Sequence, residues 1–541
     1  MMRNLLFLSF LMITLGCNEL KEADLIIHNA TIYTVDDAFS LAEAVAVKDG
    51  KIIAVGAEHE ILNAYTATEV MDARHGFIYP GFIDAHSHIL GYAIENQRLN
   101  LIGTKSFDEV VDRIKSYSES VDSKWIMGRG WDQNDWEDHA FPTNDTLQQL
   151  FPDHFIALKR VDGHAYLVSD NVLDLAQISE ETQIDGGKVL LSNGKPTGVL
   201  IDEAMRLVKA VVPKPDAQFK STALLTAQAN CFAAGLTSVC AGGLSVEDVQ
   251  LLDSLHQEDL KIRVYAMYSA APELMDGMGK LAKKTERLTA KSIKVYADGA
   301  LGSRGAKLLE PYSDDTSNTG LMISPKDSIS QWANACFGAG FQLNVHCIGD
   351  GANRFTLDAM GEVLGGTNDR RWRIEHAQVV HPEDRTKFGA FNILPSMQPT
   401  HATSDMYWAE DRLGKQRIHH AYALKSLMLQ NGLIPLGTDF PVEDISPIAT
   451  FFAATVRTDR EGFPEGGFNP EEALTREEAL RGITIWPAIA NFEDESRGSI
   501  ELGKFADLVL LDRDLLQCDA EAILSTAVLK TWLNGELVHE Q

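Results

Sequence analysis

Near both ends of the chain, short apolar runs rich in Val, Ile and Leu, punctuated by turn residues, read as strands. Residues 24–30, 44–47 and 51–55 read this way, and so do 506–511, 528–533 and 536–538. Asp49-Gly50 and Asn534-Gly535 stand between neighbouring runs and predict tight hairpin turns. Neither end alone supplies many strands. Residues 18–79 and 490–541 are therefore expected to form one small β-sandwich-like domain, with the rest of the chain inserted into it.

Between the ends, short apolar runs alternate with helical stretches such as 352–364 and 382–388. The runs fall at 78–84, 237–241, 262–268, 292–296, 342–347, 372–376, 393–397 and 434–437. That alternation predicts an α/β fold, a TIM-type (β/α)8 barrel over residues 80–489, whose working end is the C-terminal end of the strands. The gap between the first two runs is far too long for one strand–helix unit. Residues of about 104–220 are read as an inserted subdomain over the barrel mouth. It carries a helix started by a Ser106/Glu109 capping box and strand-like runs at 125–128 and 155–158.

Composition narrows the partners. The 541 residues are 45% apolar and 23% charged, as in a globular protein, and 48 basic against 77 acidic side chains give a net charge of −29. Nucleic acid and anionic lipid surfaces are poor partners for such a chain. Arg3, the apolar run 5–15 and Leu15-Gly16-Cys17 resemble a bacterial lipoprotein signal, although Thr14 stands where leucine is usual. The expectation is export to the cell envelope, with Cys17 lipidated as the sole membrane attachment; an ordinary signal peptide is the alternative. Cys231, Cys240, Cys336, Cys347 and Cys518 form no disulfide framework and read as packing residues.

The candidate chemistry sits at the strand ends. His86 and His88, two apart at the end of the first run, can reach one point. Lys294, His346, His376 and Asp439 end the fourth, fifth, sixth and eighth runs. Each alone has a bland explanation; together, at one end of one barrel, they suit a divalent ion such as zinc. Asp439 could ligate metal, take a proton from an attacking water and deliver it to a leaving group, while a second ion would clamp a carbonyl.

Pro80 to His88 with Lys294, His346, His376 and Asp439 resembles the amidohydrolase superfamily. Gly128-Arg129-Gly130-Trp131-Asp132, Arg160-Val161-Asp162-Gly163-His164, Asp298 to Arg304, Val345 to Asp350, Ser396 to His401 and Gly437 to Val442 narrow the resemblance to amidohydrolase family 3. The resemblance implies a binuclear, zinc-type site. His86, His88 and Asp439 would hold the more buried ion, His346 and His376 the second, and Lys294, carboxylated on its amine, would bridge them. A mononuclear site with a free Lys294 amine stays open.

Substrate contacts are read from position. Arg160 and His164 are candidates to reach the site from the insertion, Trp131 to wall it, Arg304 to bind a carboxylate and His401 to polarise a carbonyl. For both arginines an ordinary salt bridge is the competing reading, and for Trp131 it is the insertion's core. The function implied is hydrolysis of a C–N bond in an amide-like small molecule, N-acyl or N-formyl, with ester or cyclic amide substrates also possible for such a site. A homodimer is allowed. The alternative is a non-catalytic solute-binding or regulatory lipoprotein on the same scaffold.

Overall fold

A computed structural model describes residues 20–541 except 122, 162, 185 and 186. The lipoprotein-type segment, with Cys17, lies outside the described residues. The chain divides into two compact units, one holding residues 20–88, 229–256 and 261–541, the other 89–228 and 257–260.

The first unit contains a TIM-type barrel. Its parallel strands are β1 (Phe82–Ser87), β2 (Leu236–Leu244), β3 (Arg263–Ser269), β4 (Leu288–Tyr296), β5 (Gln342–Cys347), β6 (Arg373–His376) and β7 (Leu394–Ser396), paired in that order. The eighth run, expected at 434–437, closes the ring without becoming a regular strand. Leu436 bridges Met397 in parallel register beyond β7, and the Ala85 N–H of β1 donates to Leu436 O. Period-two alternation puts Leu343, Val345 and Cys347 on one face of β5, and Gln342, Asn344 and His346 on the other. In the usual barrel that second face packs branched apolar side chains; here it carries polar ones, a first sign that this strand serves chemistry as well as packing.

Two further sheets of this unit use the chain ends. One runs Lys51–Gly56, Ala44–Lys48, Lys21–His28, Tyr65–Asp72; the other runs Glu536–Glu540, Val528–Leu533, Leu508–Leu511, Phe77–Pro80, Thr31–Tyr33, Leu41–Ala42. Ile27, Val45, Ile78, Leu508 and Trp532 share one core between them. Both hairpins turn on adjacent left-handed residues, Asp49 (φ 50°) with Gly50 (φ 74°) and Asn534 (φ 52°) with Gly535 (φ 73°). That pair of conformations matches the twist of the flanking strands, which is why an Asx-Gly dipeptide occupies each turn. Arg263 of β3 fastens the barrel to these sheets, donating from Nε and Nη2 to the two oxygens of Asp507 at 2.8 and 3.0 Å.

The second unit holds a six-stranded sheet in the order Gly187–Ser192, Lys195–Asp202, Ala165–Val168, Phe155–Arg160, Trp125–Trp131, Leu99–Asn100. The unit begins at Ile89 and ends, apart from 257–260, at Gln228, so it is wider than the 104–220 read from the sequence. Helix Phe107–Ser120 starts as expected, with the Glu109 N–H donating to Ser106 Oγ at 3.1 Å. The Glu109 carboxylate does not complete the box. It accepts from the Lys105 N–H and from Arg113 one turn on.

Candidate functional site

The strand ends bring together side chains that are distant in sequence. His86 lies on β1 and His88 just beyond it; Lys294, His346 and His376 lie on β4, β5 and β6. Asp439 follows the closing segment. Backbone bonds fix the register of the two ends that matter most: Asp439 N–H to His86 O and His88 N–H to Phe440 O, both 2.8 Å. The His86 ring centroid is 5.5 Å from that of His88 and 4.9 Å from that of His376, which is 4.5 Å from that of His346. Among the described residues, His86, His376 and Asp439 each offer a ligand atom within 4.8 Å of the others. Asp439 Oδ1 is 3.4 Å from His88 Nε2 and 3.7 Å from His86 Nε2.

The backbone is strained where it delivers these groups. His376 (φ 74°) and Asp439 (φ 62°) both take left-handed conformations that ordinary side chains seldom adopt. Gly437 is required two residues earlier, because a Cβ there would lie 2.5 Å from the His86 nitrogen. Asp84 staples the two segments. It accepts from the His86 N–H, the Thr438 N–H and the Thr438 hydroxyl, the last at 2.7 Å.

Three of the imidazoles are aimed by a second partner. His86 Nδ1 donates to Glu375 Oε2 at 2.7 Å, His88 Nδ1 to Gly242 O at 3.1 Å and His376 Nδ1 to Gln398 Oε1 at 2.6 Å. With Nδ1 protonated, Nε2 presents a lone pair toward the cluster, the tautomer that metal binding needs. Lys294 Nζ sits 2.9 Å from His86 Nε2. Asp298 takes three backbone N–H groups, from Lys307, Ile348 and Gly349, and lies 3.9 Å from His346 Nε2.

Burial sets the charge states. It depresses His86 below the ordinary imidazole value, with Lys294 adding to the effect. His346 falls to about 3 and His376 well below its usual range for the same reason, so these rings are neutral. The buried Lys294 amine is likewise pushed down from its usual value. Burial favours neutral Asp439 too, but the imidazoles packed around it, His88 first and then His86, His376 and His401, outweigh it and hold the carboxyl well below its ordinary value. Glu375 is held near 2 against its own burial by His86 and Arg373. Desolvation lifts Asp84 and Asp298 to about 7 despite their hydrogen bonds.

Of the softer sequence candidates, only His401 joins this cluster, its Nε2 3.8 Å from Asp439 Oδ2. Arg304 forms the competing salt bridge, giving Nε and Nη2 to Asp314 at 3.1 and 2.8 Å. Trp131 is a core residue of the second unit, fully buried, with its indole N–H on Leu158 O, which corrects the expectation that it walls a pocket. In that unit Arg160 donates to Gln133 and Asp132, and the exposed His164 pairs with Asp202 at 2.9 Å.

The residues present fit a metal. His346 Nε2 and Asp439 Oδ1 are buried with no hydrogen-bond partner among the described residues. Leaving buried lone pairs and an ionised oxygen unsatisfied is costly unless a cation completes them. Imidazole and carboxylate donors together suit a zinc-type ion. Glu375, Gln398, Asp84 and Asp298 were missed as functional at the sequence level. Asp84, Asp298 and Gln398 lie within strings that carry the family resemblance, and Glu375 adjoins His376, but nothing in those strings distinguishes them from their neighbours.

A sequence profile of the Amidohydrolase family matches residues 69–539. YtcJ of Bacillus subtilis (strain 168) is 31% identical over 534 residues, covering 95% of this chain and 99% of that protein. The N-substituted formamide deformylase of Arthrobacter pascens is 27% identical over 548 residues, covering 96% and 98%. The crystal structure of a metal-dependent hydrolase from Pyrococcus furiosus superposes with a TM-score of 0.77 and 26% identity, covering 91% of this chain and 100% of that one.

Proposed function

The chain belongs to the amidohydrolase family and is a metal-dependent hydrolase; from that premise we propose that it cleaves a C–N bond in an amide-like small molecule, N-acyl or N-formyl. The observation that carries this reading is the buried, ionised Asp439 set 3.4 to 3.8 Å from the Nε2 atoms of His86, His88 and His401. A relative named for deformylation of N-substituted formamides supports the bond type.

In this reading His86, His88 and Asp439 would hold one ion and His346 and His376 a second. Lys294, carboxylated by addition of its neutral amine to carbon dioxide with loss of a proton, would serve both. Ions of this type acidify water to a pKa of about 7 and polarise carbonyl groups. The chain's own groups do the rest. Asp439, ionised, accepts the proton of the attacking water and returns it to the departing nitrogen, which must leave protonated. His401 points an otherwise unpartnered Nε2 beside Asp439 and donates to the substrate carbonyl oxygen as negative charge grows on it. Glu375 and Gln398 keep His86 and His376 in the required tautomer.

The test is metal analysis combined with assays on a panel of N-formyl and N-acyl compounds, comparing wild type with Asp439→Asn. Turnover by wild type, lost by about 10²-fold or more in the variant, supports the assignment. Wild-type protein that binds metal but turns over none of the panel would favour the solute-binding alternative. Lys294→Ala separates the bridge: restoration of metal content by added short carboxylic acids supports it, and full metal content without them opposes it. Export with a lipid on Cys17 remains part of the proposal, supported by segment 1–17 alone. Labelling with a radioactive fatty acid that disappears in Cys17→Ala would bear it out.

A further inference from the structure

A second concavity lies at the other end of the barrel strands. It is a cleft of about 450 Å³ whose lining includes Tyr265 near the start of β3, Thr289 near the start of β4 and Gln342 at the start of β5. Its floor carries aromatic rings: Tyr265 and Phe341 are buried, and Phe492 is half-buried. Its rim is cationic. Lys284, Lys291 and Arg370 face the cleft, and none has a carboxylate partner among the described residues. Lys284 donates only to Phe492 O at 3.3 Å, and Arg370 lies over the Phe337 ring at 4.4 Å. The one acidic lining residue, Asp369, is already paired with Arg371, and Lys283 with Asp253. In a chain of net charge −29, three uncompensated cations around one cleft are a local reversal of the field.

The floor also offers a directed donor. Asn491 is 1% exposed; its Oδ1 accepts from Arg373, while its Nδ2 has no partner among the described residues. A buried amide N–H₂ left open beside a cationic rim asks for an acceptor. The rest of the floor is self-satisfied, since the Tyr265 hydroxyl donates to Gln342 Oε1 and Gln342 Nε2 donates to Ala490 O. Specificity there would come from flat apolar contact plus one anionic group.

We propose that this cleft is a binding site, separate from the metal centre, for a small organic anion with a flat apolar body. Its anionic group meets Lys284, Lys291 and Arg370, and its ring lies on Tyr265, Phe341 and Phe492. The combination of few directed polar groups and aromatic walls is that of small-molecule sites in general. The binding energy must be partly ionic and therefore salt-sensitive.

Calorimetric titration of the metal-loaded protein with benzoate, and in parallel with acetate, tests the proposal. One saturable benzoate site per chain is expected, at least tenfold tighter than for acetate. Lys291→Glu and Arg370→Glu should each weaken it at least tenfold. Both side chains reach solvent, so melting temperature, metal content and turnover of these variants should match wild type. Absence of saturable binding, equal affinity for the two anions, or benzoate binding unchanged in both variants would overturn the proposal. The last result would assign the anion to the metal centre.

Discussion

Replacing Glu375 with glutamine removes one negative charge and almost no volume from the wall of the metal centre. In the native chain Glu375 Oε2 accepts from His86 Nδ1 at 2.7 Å, with both side chains fully buried. The carboxyl is ionised at any working pH, since its pKa is held near 2. Glutamine can still accept from Nδ1 through its amide oxygen, so His86 keeps its tautomer and orientation. What is lost is the charge that makes the imidazole a stronger donor and offsets Lys294 and Arg373. Losses of such carboxylate partners weaken metal affinity by about 10- to 100-fold, equivalent to about 1.4–2.7 kcal/mol. Competition with a chromophoric chelator, at a temperature well below unfolding, reads this directly. Glu375→Ala should lose more, because Nδ1 is then left without an acceptor. Metal affinity of Glu375→Gln within twofold of wild type would refute the reasoning.

Other consequences follow from elements away from the centre. Asp507 is buried and held below its ordinary value: burial favours its neutral form, but Arg263 outweighs that. Its folded pKa therefore lies below its unfolded one, so it contributes stability above about pH 3.9 that is lost as pH falls through the folded value. Asp507→Asn should lower denaturant stability by about 3–5 kcal/mol at pH 7, because it leaves Arg263 buried and unpaired, and the difference from wild type should shrink on acidification. A pH-independent difference would contradict this. Trp131→Ala should cost the second unit about 3–5 kcal/mol, seen as selective loss of hydrogen-exchange protection in strands Trp125–Trp131 and Phe155–Arg160. Unchanged protection there would remove Trp131 from that core.

The barrel was legible because its runs alternate strand and helix with little ambiguity, and β5 matches the sequence boundaries at both ends. The eighth run was harder. Gly437 and the left-handed Asp439 break regular strand geometry there, yet close packing against His86 demands both. The clustering of the six candidate positions was readable because histidine, lysine and aspartate at strand ends are chemically unusual in concert. Glu375 and Gln398 were not, since a carboxylate or amide beside a ligand looks the same in sequence whether it faces the metal or solvent. Trp131 had two readings, a pocket wall or the insertion's core: it sits in a string resembling a site, and only packing reveals that its ring fills the second unit's core. Arg304 could be read two ways from sequence, and Asp314 ten residues on decides it.

The account rests on His86, His88, Lys294, His346, His376 and Asp439 surrounding metal. Anomalous diffraction from zinc-loaded crystals, recorded on both sides of the zinc absorption edge, tests this most directly. The account predicts strong peaks about 2.0–2.2 Å from imidazole nitrogens and carboxylate oxygens of this set, with added density on Lys294 Nζ joining two of them. Zinc bound elsewhere, or no anomalous density among these side chains in fully loaded protein, would contradict it.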